Sequence, residues 1–227
     1  MTGSASARAS LRAHPESLRL YAVTDNAWLA GRTLAQCCAS AVRGGATFLQ
    51  LRDKGASTEE RVRLYGEIRR ALSAAGERVP FVIDDDVEAA SRCGADGVHV
   101  GQLDAACADA RAALGEDAIV GVSVRTVGQA LAAEREGADY LGVGALFATP
   151  TKPEAAEVSL GELARICEAV SIPVVGIGGL NARTVSTLAG TGVAGAAVVS
   201  GIFAADDIEA AARDLRARVD AALAPAR

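Results

Sequence analysis

An alternation repeated eight times constrains this chain more than any other feature. Short apolar runs at 18–24, 47–51, 81–83, 97–100, 118–122, 140–143, 173–177 and 196–199 alternate with stretches of helical period at 32–43, 57–75, 87–93, 104–114, 127–136, 160–170, 182–189 and 208–223. The apolar runs are nearly continuous, as strands buried on both faces of a parallel sheet require. Eight strand–helix units in about 205 residues predict an α/β protein, a single-domain (β/α)8 TIM barrel spanning residues 18–227. An open doubly wound sheet would carry a dinucleotide glycine loop after its first strand, and Thr24-Asp25-Asn26-Ala27-Trp28 has no glycine. Glycine-led elements precede four of the strands, at Gly44-Gly45-Ala46, Gly94-Ala95-Asp96, Gly137-Ala138-Asp139 and Gly192-Val193-Ala194. They predict helices that end on a left-handed glycine just before the next strand.

Residues 1–17 are rich in Ala, Ser and Arg and show no apolar period, so they are expected to be a disordered extension with His14 solvated. They lack the apolar segment of about 7–15 residues that a signal peptide needs. The net charge of -5, with scattered basic residues, gives no electrostatic case for nucleic acid. No run approaches the roughly 18–20 apolar residues that span a bilayer. The five cysteines (37, 38, 93, 107 and 167) have no zinc spacing and are read as reduced and packed. The expectation is a soluble, cytoplasmic protein; a homo-oligomer is left open.

In a barrel of this kind ligands bind where strands end and the following loops begin. Every loop from the second strand onward offers polar groups there: Gln50, Arg52 and Lys54; then Asp84, Asp85 and Asp86; then His99, Gln102 and Asp104. The fifth strand supplies Ser123 and Arg125, the sixth Thr149, Thr151 and Lys152. The seventh ends in Gly178-Gly179 and the eighth in Val199-Ser200-Gly201. Among 21 arginines the chain keeps two lysines, Lys54 and Lys152, both at predicted strand ends. A compact ammonium differs there from a guanidinium fork. Asp86 is read as a helix cap, since three adjacent carboxylates repel one another unless cations separate them. Asp85 with Asp104 is read as a site for Mg2+, which takes one or two protein carboxylates and completes its shell with water and phosphate oxygens; Asp104 is alternatively an N-cap. These carboxylates beside Arg52, Lys54 and Lys152 point to a diphosphate. The glycine turns after strands seven and eight point to a second, monophosphate site, and two such substrates imply a transfer reaction. His99 is read as packed or orienting, without an acid–base role.

The chain resembles thiamine-phosphate synthase, an enzyme family of thiamine biosynthesis. The resemblance runs from about Leu20 to Phe203. It rests on Tyr21-Ala22-Val23-Thr24-Asp25, Gln50-Leu51-Arg52-Asp53-Lys54, the segment from Asp96 to Asp104, Gly121-Val122-Ser123-Val124, the segment from Gly142 to Thr149-Pro150-Thr151-Lys152, and Gly176-Ile177-Gly178-Gly179. The resemblance implies a transferase that joins an aminopyrimidine diphosphate to a thiazole phosphate, with release of pyrophosphate. It implies that Gln50, Lys54, Ser123 and Lys152 contact the pyrimidine diphosphate and that Asp85 and Asp104 hold Mg2+. Thr149, Thr151, Gly179, Val199 and Ser200 would bind the thiazole phosphate. Arg52 joins the set by its place between Gln50 and Lys54. The family chemistry is dissociative: diphosphate leaves, the electron-rich pyrimidine stabilises a carbocation, and the thiazole nitrogen captures it. Lys54, Lys152 and Ser123 are therefore the expected catalytic residues. Two positions depart from the family pattern. Asp84 stands where asparagine is usual, which puts its role as a pyrimidine contact in question, and Arg125 stands where histidine is common. Three rivals are a thiazole tautomerase on the same fold, which leans on that histidine; a Schiff-base aldolase using Lys152; and a binding barrel without turnover.

Overall fold

The computed structural model of this protein describes residues 6–102, 106–148 and 157–224. The strands β1 (Leu20–Val23), β2 (Phe48–Leu51), β3 (Phe81–Asp84), β4 (Gly97–Val100), β5 (Ile119–Val124), β6 (Tyr140–Val143), β7 (Val174–Ile177) and β8 (Gly195–Val198) close in sequence order into a barrel. All neighbours pair in parallel, and closure is made by Tyr21 opposite Ala197 across β1 and β8. The (β/α)8 architecture read from the sequence is the observed one. Each strand lies within two residues of its predicted limits because the apolar run that marks it is local.

Two apolar cores result. An outer one lies between the barrel wall and its surrounding helices, which include α2 (Leu34–Arg43), α3 (Thr58–Ala74), α4 (Val87–Cys93), α5 (Cys107–Leu114), α6 (Val127–Arg135), α7 (Leu160–Ala169) and, after α8 (Ser200–Phe203), α9 (Ile208–Ala222). Capping boxes start α2 at Thr33/Gln36 and α3 at Ser57/Glu60. The inner core fills the barrel with Tyr21, Phe48 and Tyr140 packed edge to face, together with Val23, Val82, Ile119 and Val175. The positive-φ glycines foreseen before strands are Gly45, Gly94, Gly137 and Gly192.

Two expectations need correction. The described part of the N-terminal tail is ordered: α1 (Ala7–Ala13) is capped by Ser6, and a 3-10 turn, Pro15–Leu18, follows it. Leu11 joins the inner core at 1% exposure and plugs the N-terminal end of the barrel. Arg8 Nε and Arg12 Nη2 reach the buried carboxylate of Asp139, at 2.7 and 3.4 Å. One apolar side chain among polar ones makes no period, so only the hole it fills explains its burial. Second, the stretch 182–189 forms only a 3-10 turn, Val185–Leu188. Asn181 Oδ1 accepts the Arg183 amide and Thr184 Oγ1 accepts that of Asn181, while Gly190 takes φ +74°, leaving no room for a full helix.

Candidate active site

Asp84, Asp85 and Asp86 have three different fates at the end of β3. Asp86 caps α4: its Oδ1 accepts from the Ala89 amide at 2.8 Å, and its Oδ2 takes Thr58 Oγ1 at 2.9 Å and Arg61 Nη1 at 3.0 Å. Partial burial pushes its pKa up, but these donors and the Arg61 charge outweigh that and leave it below the ordinary aspartate value. Asp84 faces Arg52, whose Nε stands 3.7 Å away while its Nη1 donates to Asp25 at 3.1 Å. Cations thus relieve the run of three acids from both sides, as their repulsion requires. Asp85 sits between them, exposed, on a left-handed backbone with φ +60° that is uncommon for a side-chain-bearing residue. Its amide donates to His99 O at 2.8 Å, which ties the strained corner to β4.

At the end of β2 the backbone of Arg52 exchanges hydrogen bonds with the hydroxyl of Thr24, the residue that follows β1. Gln50 is buried at 4% exposure, Arg52 is engaged by two carboxylates, and Lys54 stands exposed in the turn with no ion pair among the described residues. Arg52 is therefore a structural cation of the rim more than an open one, a distinction its spacing could not reveal. Arg125 is exposed beyond Ser123; its backbone amide donates to Gln129 Oε1 at 2.8 Å.

Inside the barrel mouth a hydrogen-bonded chain runs through five strands. Gln50 Nε2 donates to Tyr21 Oη at 2.7 Å, and Tyr21 Oη lies 2.8 Å from Tyr140 Oη. Tyr140 Oη lies 2.9 Å from His99 Nδ1, and His99 Nε2 lies 2.9 Å from Ser123 Oγ. Glycines make the space: a Cβ on Gly121 would sit 2.1 Å from Tyr140 Cζ, and one on Gly142 would sit 3.2 Å from His99 Cε1. Burial pushes both tyrosine hydroxyls well above their ordinary pKa, so they stay protonated. His99, read as packed or orienting, is buried and hydrogen-bonded through both ring nitrogens. Tyr21 and Tyr140 were missed as site residues, although two tyrosines in strands buried on both faces already imply hydroxyls that must find partners.

The loops after β6, β7 and β8 pack on one another. Gly179 has φ +66°, and a Cβ there would meet Phe147 Cβ at 2.6 Å and Ala148 O at 3.0 Å. A Cβ on Gly201 would lie 3.0 Å from Leu180 O. Gly179, Val199 and Ser200 are thereby brought to one side of the rim, each partly exposed. Asp104, Thr149, Thr151 and Lys152 lie outside the described residues. Among the described residues no three His, Cys, Asp or Glu side chains cluster as a metal site, and no helix is long and apolar enough to cross a membrane. Asp85 offers the hard oxygen chemistry Mg2+ prefers, and such sites need only one or two protein ligands.

The family model for thiamine monophosphate synthase matches residues 20–202. The thiamine-phosphate synthase of Chloroflexus aurantiacus is 46% identical over 208 residues, covering 91% of this chain and 95% of that protein. That of Ruminiclostridium cellulolyticum is 44% identical, covering 86% and 92%. Among solved structures, the thiamine phosphate pyrophosphorylase of Pyrococcus furiosus superposes with a TM-score of 0.82 at 36% identity, covering 92% of this chain and 98% of that one.

Proposed function

The chain belongs to the thiamine monophosphate synthase family, a transferase family that forms thiamine monophosphate with release of pyrophosphate, and from that premise we propose how its own residues divide the work. Gln50 and Ser123 line the pocket of the aminopyrimidine diphosphate, with Asp84 at its edge. Lys54 and Lys152 neutralise the departing diphosphate, and Arg52 holds Asp25 and Asp84 in place behind them. Thr149, Thr151, Gly179, Val199 and Ser200 hold the thiazole phosphate. Asp85 and Asp104 would hold Mg2+, which when bound supplies charge neutralisation to the leaving group. The C–O bond to the diphosphate breaks first, its electron pair leaving with the diphosphate. The aminopyrimidine delocalises the resulting cation, and the thiazole nitrogen closes the C–N bond. The protein therefore has to fix the nucleophile in line and stabilise negative charge as it develops, with no side-chain nucleophile. The reading extends to a cytoplasmic enzyme on small phosphorylated substrates, supported by five free cysteines.

One observation carries this division. Arg52 and Arg61 at the rim are each tied to carboxylates, whereas Lys54 has no ion pair among the described residues and stands exposed beside them. A cation kept out of the ion-pair network at a strand end is available to an anionic ligand. Incubation with the two phosphorylated halves and Mg2+, followed by mass detection of thiamine monophosphate, tests the activity. Lys54→Ala and Asp85→Ala should each lose at least about 100-fold in turnover while keeping the fold. Wild-type turnover by Asp85→Ala in saturating chelator would remove the metal from the scheme.

A further inference from the structure

The chain from Gln50 to Ser123 has a direction, and that direction decides what Ser123 can offer. The Gln50 amide nitrogen can only donate, so Tyr21 Oη accepts from it. Tyr21 must then give its one proton to Tyr140. Were Tyr21 to accept from both, its proton would be left unpaired among Phe48, Val82 and Val175 in the inner core, at the cost of a buried unsatisfied donor. Tyr140 in turn donates to His99 Nδ1, which must be bare. The neutral ring then carries its proton on Nε2 and donates to Ser123 Oγ. With that lone pair occupied, the Ser123 proton turns away from the chain, toward the barrel mouth. Reversing the Gln50 carboxamide reverses every bond, and Ser123 would then spend its proton on His99. Among the described residues Gln50 Oε1 accepts no hydrogen bond, and it is not one of the sealed unpartnered atoms, so it reaches solvent.

We propose that Tyr21, Tyr140 and His99 are positioning residues that transmit the orientation of the Gln50 carboxamide across the barrel, so that an amino group donating to Gln50 Oε1 holds Ser123 as a hydrogen-bond donor to the leaving diphosphate. Recognition of the ring at β2 is in this way coupled to leaving-group stabilisation at β5. The inference rests on the assignment of Gln50 and Ser123 to the pyrimidine diphosphate made above. Its geometric part does not, because the direction of the chain is a property of the free protein.

The test uses the full-length 15N-labelled protein at about pH 8.5, well above the ordinary imidazole range. The chain has two histidines, so a His14→Gln variant assigns the His99 ring nitrogens without ambiguity. The expected result is a bare Nδ1 and a protonated Nε2. A protonated Nδ1, or a doubly protonated ring, overturns the inference and leaves the site assignment standing. In kinetics, Tyr140→Phe should lower kcat for pyrophosphate release by about 10- to 100-fold, with a smaller change in KM. Because it acts through Ser123, the same substitution in a Ser123→Ala background should cost little more. Independent, multiplying losses would overturn the inference. Ser123→Ala at the wild-type rate would sink the site assignment and the inference together.

Discussion

Asp86 shows how one residue can be spent on structure within a run that looks catalytic. Its side chain closes the first turn of α4 and binds Arg61 and Thr58. Replacing it with alanine should lower stability by about 1–2 kcal/mol in urea denaturation, with little change in turnover. The pH dependence follows from its lowered pKa. A carboxylate that titrates lower in the folded than in the unfolded state stabilises above the unfolded value, about 3.9. That contribution fades as pH falls through the folded value. The stability gap between wild type and Asp86→Asn should therefore be constant from neutral pH down to about pH 4–5 and shrink below it. The capping role could be read from position, since Asp before an apolar-periodic stretch is a start signal. The capture of Arg52 by Asp25 and Asp84 could not, because those partners stand 27 residues back and on the next strand.

At the scale of elements, α1 is the piece whose role the linear pattern hid. Leu11 is the residue that enters the barrel, and the Arg8 guanidinium is shared between Asp139 and Glu116. Asp139 also accepts from the Val120 amide at 3.0 Å and pairs with Arg111, so α1 locks onto a staple joining β5, β6 and α5. Asp96 has the matching role between β3 and β4, accepting from the Phe81 amide at 2.8 Å and pairing with Arg69 of α3. Leu11→Ala should cost about 2–5 kcal/mol, read as a lower midpoint in thermal or urea unfolding. A loss indistinguishable from zero would mean that α1 does not seal the barrel in solution. The strands were legible as short, continuous apolar runs, and the long helices because their burial repeats every 3.6 residues. A seven-residue helix with one buried side chain has no repeat to read.

Across the whole molecule, the cysteines report how well the outer core is closed. Burial raises the thiol pKa throughout, to about 11 at Cys107 and Cys167, and higher still at Cys38. Thiolate is the reactive form, so at about pH 8 the native protein should consume far fewer than five equivalents of an alkylating reagent, and all five after denaturation. Full labelling of the native state would show that the helices open around the barrel.

By itself the sequence determined the order of strands and helices, the barrel they close into, and the polar residue types at each strand end. All of these depend on near neighbours in the chain. Only the tertiary structure decided which of those polar groups meet. The links from Tyr21 to Tyr140, Tyr140 to His99 and Gln50 to Tyr21 span 119, 41 and 29 residues, and Arg8 finds Asp139 across 131. Hydrogen-bond partners that far apart leave no spacing to read. They are fixed by barrel closure, which puts five strands around one mouth.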